Sequence, residues 1–301
     1  MADEEYPAIY RFLKPLLIAL ALVMVIYGIG HLGDVMRRVS GKQRLQSIDI
    51  RPIGQIYYAE SPDEVVLQLL RKSGSESLER RFMEEVPAFT LFGDGRVIFK
   101  QIGGYSWRET RLDRGEVGRL LEQARKAGVF RVDVYSLQER LREGRLTLRG
   151  LPSFTLRVNT SQHRLEITIY GLPDDPASLP HHLKDNPTIA LVRFIGTLMR
   201  FDEHVPSSLP YQPDRVELLV EKVGEPPEGI SPEPLPFELP LREGTKYDGG
   251  TVLEVSGEKL SFFRRVLGSP GNFGYFSSGG SVIRAGFRPA LPLRGTVRSS
   301  P

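Results

Sequence analysis

The sequence predicts an α+β protein: an N-terminal membrane-spanning helix, an antiparallel sheet with two packed helices, and a small mainly-β subdomain at the C-terminus. Three observations carry that expectation. Residues 15–32 form an 18-residue apolar run with no Asp, Glu, Lys or Arg, His31 being its one basic side chain. Two strand–turn–strand patterns follow, each leading into a run of helical periodicity. A proline-rich stretch then separates these from several short strand patterns. The chain divides accordingly into a tail (1–14), an anchor (15–32), a juxtamembrane linker (33–53), an α+β domain (54–205), a proline-rich segment with one strand (206–245) and a C-terminal β subdomain with its tail (246–301). With 301 residues, 40% hydrophobic and 26% charged, the chain is neither disordered nor a polytopic membrane protein. A net charge of only +3, spread along the chain, gives no electrostatic footprint for nucleic acid. The absence of cysteine excludes a disulfide framework, a thiolate nucleophile and a thiolate metal site.

Pro15, Leu16, Leu17, Ile18, Leu20, Leu22, Val23, Met24, Val25 and Ile26 lead the apolar run. As a helix the run spans ~27 Å, close to the ~30 Å hydrocarbon core of a bilayer. Tyr10 and Phe12 stand at one edge, where aromatic rings favour the interface, and Arg37 and Arg38 follow the other. A cleaved signal peptide would need a shorter core and a small-x-small site, which GDVMRRVSGK after Leu32 does not offer. The expectation is an uncleaved single span in a bacterial cytoplasmic membrane. Arg37, Arg38, Lys42, Arg44 and Arg51 outnumber Arg11 and Lys14, so the cation count places the C-terminal part in the cytoplasm.

Glu64–Leu70, after the turn signal Ser61-Pro62-Asp63, is apolar and β-branched and predicts a strand. In Pro87–Lys100, Phe89, Leu91, Val97 and Ile98 flank Gly93-Asp94-Gly95, which predicts a hairpin. Asp113 and Glu116 form a capping box, with Leu112 and Val117 as its staple. Val117, Leu120, Leu121 and Ala124 recur at helical spacing until Gly128 stops the helix. Leu151-Pro152-Ser153-Phe154-Thr155-Leu156 then echoes Val86-Pro87-Ala88-Phe89-Thr90-Leu91. Thr160-Ser161-Gln162 turns into the paired strand Arg164–Tyr170. Asn186 is the expected cap of a second helix, with Pro187 at its first position. A duplicated hairpin–helix unit and a chance match explain the echo equally well. Further on, Asp214–Val223 reads as a strand, EPPEGISPEPLPFELP as an extended spacer, and TVLEVSG, EKLSFFRRVLG and FGYFSSGGSVIRAGFRP as a strand, a short helix and a strand pair.

Candidate chemistry is sparse. His181 and His182 stand near Asp174, Asp175 and Asp185, but adjacent histidines lack metal-ligand spacing, and a polar loop before a helix explains the same residues. Asp94 between two glycines is a turn residue before it is a catalyst. No nucleophile elbow, phosphate loop or dinucleotide fingerprint is present, so no catalytic residue, metal ligand or cofactor is assigned. Tyr105 and Trp107 in GGYSW are the candidate exposed contact loop, set off by Gly103-Gly104; a core-capping Trp is the competing reading.

The strings SPDEVVLQL, VPAFTLFGDGRVIF, ARKAGVF, ITIYGL and VIRAGFRPALP together resemble a family of uncharacterised bacterial secreted or lipid-anchored proteins. Its members carry a P-x-F-T-L-[YF]-G-D-G-x-V-I hairpin and a C-terminal R-P-x-L-P tail. The resemblance covers most of residues 60–293 and implies an exported domain, against the cation count, but no activity. Here an apparent uncleaved anchor replaces the family's usual signal or lipobox. The sequence reading is therefore an extracytoplasmic accessory or interaction protein, possible partners being the bilayer through residues 15–32 and other membrane or envelope proteins. The alternatives are a cell-envelope polymer hydrolase using Asp and Glu residues, or a ligand-binding sensor.

Overall fold

Two antiparallel hairpins flank one central strand. β1 (Val65–Lys72) pairs on one side with β2 (Phe89–Phe92) and on the other with β5 (Ser153–Asn159), both antiparallel. β3 (Arg96–Lys100) and β4 (Trp107–Arg111) extend the β2 side, and β6 (Arg164–Tyr170) extends the β5 side. The two-residue β7 (Leu209–Pro210) closes the β4 edge, making a seven-stranded sheet in the order β6-β5-β1-β2-β3-β4-β7. This computed structural model describes residues 56–74, 77–143, 151–205 and 207–291, which belong to one compact unit.

The first hairpin turns where Gly95 takes φ +84°, a conformation that favours glycine. α2 (Arg114–Lys126) has the expected capping box, and its core side is Val117, Leu120, Leu121 and Ala124. It ends where Gly128 reaches φ +79°. α4 (Asn186–Met199) begins one residue earlier than expected. Asp185 is its N-cap, accepting the Thr188 amide at 2.8 Å, and Asn186 is already helical. Two helices beyond the expected pair flank this sheet. α1 (Leu78–Glu84) follows β1, and α3 (Val134–Arg142) starts from an Asp133 cap. Gln138 of α3 exchanges hydrogen bonds with both the backbone N–H and C=O of Tyr170, so α3 covers part of the β6 edge.

α2 and α4 lie on one face of the sheet. Phe89, Leu91, Val97, Phe99, Phe154 and Leu156 meet their apolar sides there in one continuous core. A second, six-stranded sheet serves the rest of the chain, in the order β10-β11-β8-β13-β12-β9. β8 (Arg215–Val223), the strand of the proline-rich segment, lies between β11 (Gly250–Ser256) and β13 (Ser281–Pro289). Its even-numbered residues Val216, Leu218 and Val220 pack with Phe263 and Leu267 of α5 (Gly257–Leu267). Its odd-numbered residues Glu217, Leu219 and Glu221 take the other face. The remaining strands are β9 (Glu233–Pro234), β10 (Thr245–Tyr247) and β12 (Phe273–Ser278).

The proline-dense run turns at Pro227–Ile230, where Gly229 has φ +82°, and it is not a spacer. β9 pairs in parallel with β12, while Leu235, Phe237, Leu239 and Leu241 pack onto the second core. Phe237 meets Phe262 edge-on with centroids 5.4 Å apart. The strap is retained by the burial of these apolar side chains against the second core.

Between the sheets lies a third cluster, in which Phe92, Ile98 and Trp107 of the first sheet meet Phe82 and Met83 of α1 and Leu219 of β8. Among the described residues no helix is long and apolar enough to cross a membrane, and the expected anchor at 15–32 lies outside them.

Candidate functional site: a cation-rimmed groove between two helices

The outer surfaces of α2 and α4 enclose a groove of about 640 Å³. Leu112, Leu120, Ala127, Phe194, Phe201 and Val205 form its floor. Phe201 anchors that floor to the sheet, standing edge-on to Phe89 at 4.9 Å and to Phe99 at 5.3 Å. The helices are held by their ends. Asp113 accepts the Glu116 amide at 2.7 Å and Glu116 accepts the Asp113 amide at 2.7 Å, which fixes the start of α2. On α4, a Cβ at Gly196 would stand 2.9 Å from the Asp174 carbonyl, so a small residue lets this helix approach the preceding loop closely.

Arg119 and Lys126 of α2 and Arg193 of α4 rim the groove against a single carboxylate, Glu116. The helical spacing puts Glu116, Arg119, Gln123 and Lys126 on one stripe. Arg119 reaches Glu116 only at 4.0 Å, and Lys126 stands 3.9 Å from Glu122. Arg193 has no carboxylate at ion-pair distance among the described residues. The groove thus joins an apolar floor to a net-positive rim.

The aromatic pair singled out in the sequence sits elsewhere and is not an exposed loop. Trp107 is only 4% exposed, begins β4, and donates its indole N–H to the Pro87 carbonyl at 3.3 Å. Tyr105 is partly buried against Gly271, where a Cβ would strike its ring. Both rings face Lys100, whose Nζ lies 4.3 Å from the Tyr105 centroid and 5.9 Å from that of Trp107. An indole N–H needs a buried acceptor, and the Pro87 carbonyl supplies it, so the core-capping arrangement prevails. Burial pulls the Lys100 ammonium down to about 8, against a smaller upward pull from Glu84.

His182 bonds the Arg140 carbonyl at 3.0 Å, and Asp185 pairs with Arg140 while capping α4. Among the described residues no three His, Asp or Glu side chains gather as metal ligands. Asp94 accepts the Arg96 amide at 3.0 Å and pairs with Arg111, so it orders its hairpin. The sequence reading missed the groove. The available signal was the cationic stripe beside the apolar side of α2, but which helix would lie next to it was not encoded locally. No family model, curated protein or solved structure matches this chain.

Proposed function

We propose that this chain is a single-pass accessory protein, tethered by residues 15–32 to a bacterial cytoplasmic membrane with its folded part outside. Its role is to hold another membrane or envelope protein through the α2–α4 groove. The groove is the observation that supports this reading. Its apolar floor gives a partner area to bury, and Arg119, Lys126 and Arg193 favour an acidic partner. α2 and α4 are each about 20 Å long, which suits an amphipathic acidic helix of three to four turns laid in the groove. The family resemblance supports the outward orientation, and the apolar run supports the tether.

The test is a mild-detergent pull-down of tagged full-length chain from native membranes, run beside an Arg119→Glu/Arg193→Glu variant. A photo-crosslinking residue at Thr197 reports contact with the groove. A membrane or envelope protein that is enriched stoichiometrically, crosslinks at position 197 and is lost in the charge-reversed variant is the expected result. A lone monomer, or a partner retained equally by the variant, overturns the proposal.

A further inference from the structure

A second concavity, on the opposite sheet, has the chemistry of an anion site. It measures about 490 Å³ and lies where the end of β8 meets the β10–β11 turn. Lys222 of β8, Arg242 from the loop before β10, and Lys246 of β10 all line it. None of the three has a carboxylate at ion-pair distance among the described residues. The one carboxylate in the wall, Asp248, is already paired with Arg81 of α1. Three cations therefore line a shared space whose one carboxylate is already shared with Arg81.

The β10–β11 turn beneath them is tight, with positive φ at both central residues, which an Asp-Gly pair favours. Asp248 has φ +34° and, among the described residues, is the one non-glycine in the left-handed region. Gly249 follows at φ +98°. Arg81, which pairs with Asp248, does not itself line the concavity. Gly250 brings the wall close, since a Cβ there would stand 2.9 Å from Leu219 Cδ1 and 3.0 Å from the Val220 carbonyl. Val220 and Leu241 supply an apolar flank.

We infer that this concavity binds a phosphate-bearing ligand. A guanidinium can take two phosphate oxygens in its fork, and two ammonium groups serve the remaining charge as point donors. The apolar flank accommodates a short carbon body attached to the phosphate. This goes beyond the interaction role and does not depend on it, because the two sites share no residue.

The test uses full-length chain in phosphatidylcholine nanodiscs. Glycerol phosphate is titrated by calorimetry, with hydrogen exchange followed over residues 242–251. Parallel nanodiscs carry phosphatidylglycerol and no free ligand. The variants are Arg242→Ala/Lys246→Ala, both exposed positions that leave the core intact, and Arg193→Ala as a distant cation control. Binding is expected to weaken at least tenfold in the double variant, to weaken with added salt, and to be unchanged in Arg193→Ala. Protection by glycerol phosphate alone identifies a soluble phosphate ester. Protection in phosphatidylglycerol discs that the double variant loses identifies a lipid headgroup. No protection by either probe, or equal protection in the double variant, overturns the inference.

Discussion

The two faces of the seven-stranded sheet solve burial differently. Toward α2 and α4 the contact is wholly hydrocarbon and aromatic, with Phe89, Phe99, Phe154 and Leu121 almost fully buried. Toward the second sheet, apolar residues share the interface with charge. Arg288 is buried to 4%, yet it lies over the Phe82 ring at 4.1 Å, donates to the Phe82 carbonyl and meets Glu85 at 3.0 Å and Glu217 at 2.6 Å. Beside it Arg284 pairs with Glu79 and, at 3.1 Å, with Glu221. Glu84, 7% exposed, accepts the Ser73 amide and hydroxyl at 2.7 Å each and Arg80 at 3.0 Å. The difference teaches that an apolar face needs only the right periodicity, whereas a charged face needs partners at matched positions. Register supplies them here: Arg288 lies opposite Glu217 and Arg284 opposite Glu221. Gly286 between the two arginines leaves room for the Phe273 ring, which a Cβ would approach to 2.7 Å.

Substitutions on each face sharpen this contrast. Phe89→Ala should cost about 3–5 kcal/mol, because it empties a closed aromatic site beneath Phe201; chemical denaturation reads the loss directly. Arg288→Met should cost about 3 kcal/mol by leaving Glu85 and Glu217 without their cation. Adding Glu85→Leu and Glu217→Leu to that variant should restore most of the loss. A triple variant as unstable as Arg288→Met would show that the arginine is needed for its packing on Phe82 rather than for its charge.

A third signature is the pH dependence of the charged interface. Lys100 titrates near 8 in the folded chain against an ordinary 10.5, so the unfolded chain holds more protons between those values. Stability should therefore rise as pH climbs from about 8 to 10.5. Tyr247 acts in the opposite sense. Burial, reinforced by Glu85, pushes its phenol up to about 12, so stability should fall as pH rises from about 10 to 12. Urea midpoints across this range should show both slopes, and Lys100→Met should remove the first while leaving the second. A rise that persists in Lys100→Met would assign it to another group.

Much of the helix-covered face was legible. The Asp113–Glu116 box, the Val117-Leu120-Leu121-Ala124 spacing and the Gly93-Asp94-Gly95 turn each draw on neighbours within a few residues, and each forms where expected. α3 carries equally local signals, with Asp133 accepting the Ser136 amide and Leu137 and Leu141 four apart. Of the two readings of Trp107, the core-capping one holds and the exposed-loop one does not. Gly103 and Gly104 do mark a turn, but Trp107, three residues on, already enters β4, and only its pairing with Lys100 shows that. The groove and the three-cation concavity could not be assembled from the sequence, because the neighbour of each cationic segment, α4 for α2 and β8 for residues 241–251, is set by the fold.

The sequence by itself determined the α+β class, the two hairpins around a strand-rich centre and the capped helices after them, because those depend on periodicity and on side chains bonding nearby backbone. Only the tertiary structure decided that the proline-dense strap is core, that Trp107 is buried over Lys100, and that arginines and glutamates can stand between two sheets. It decided also that Arg119 and Arg193 share one groove while Lys222, Arg242 and Lys246 share another space. The physical reason is the same in each case: burial and the pairing of charges depend on which distant strands and helices become neighbours, and no local pattern carries that choice.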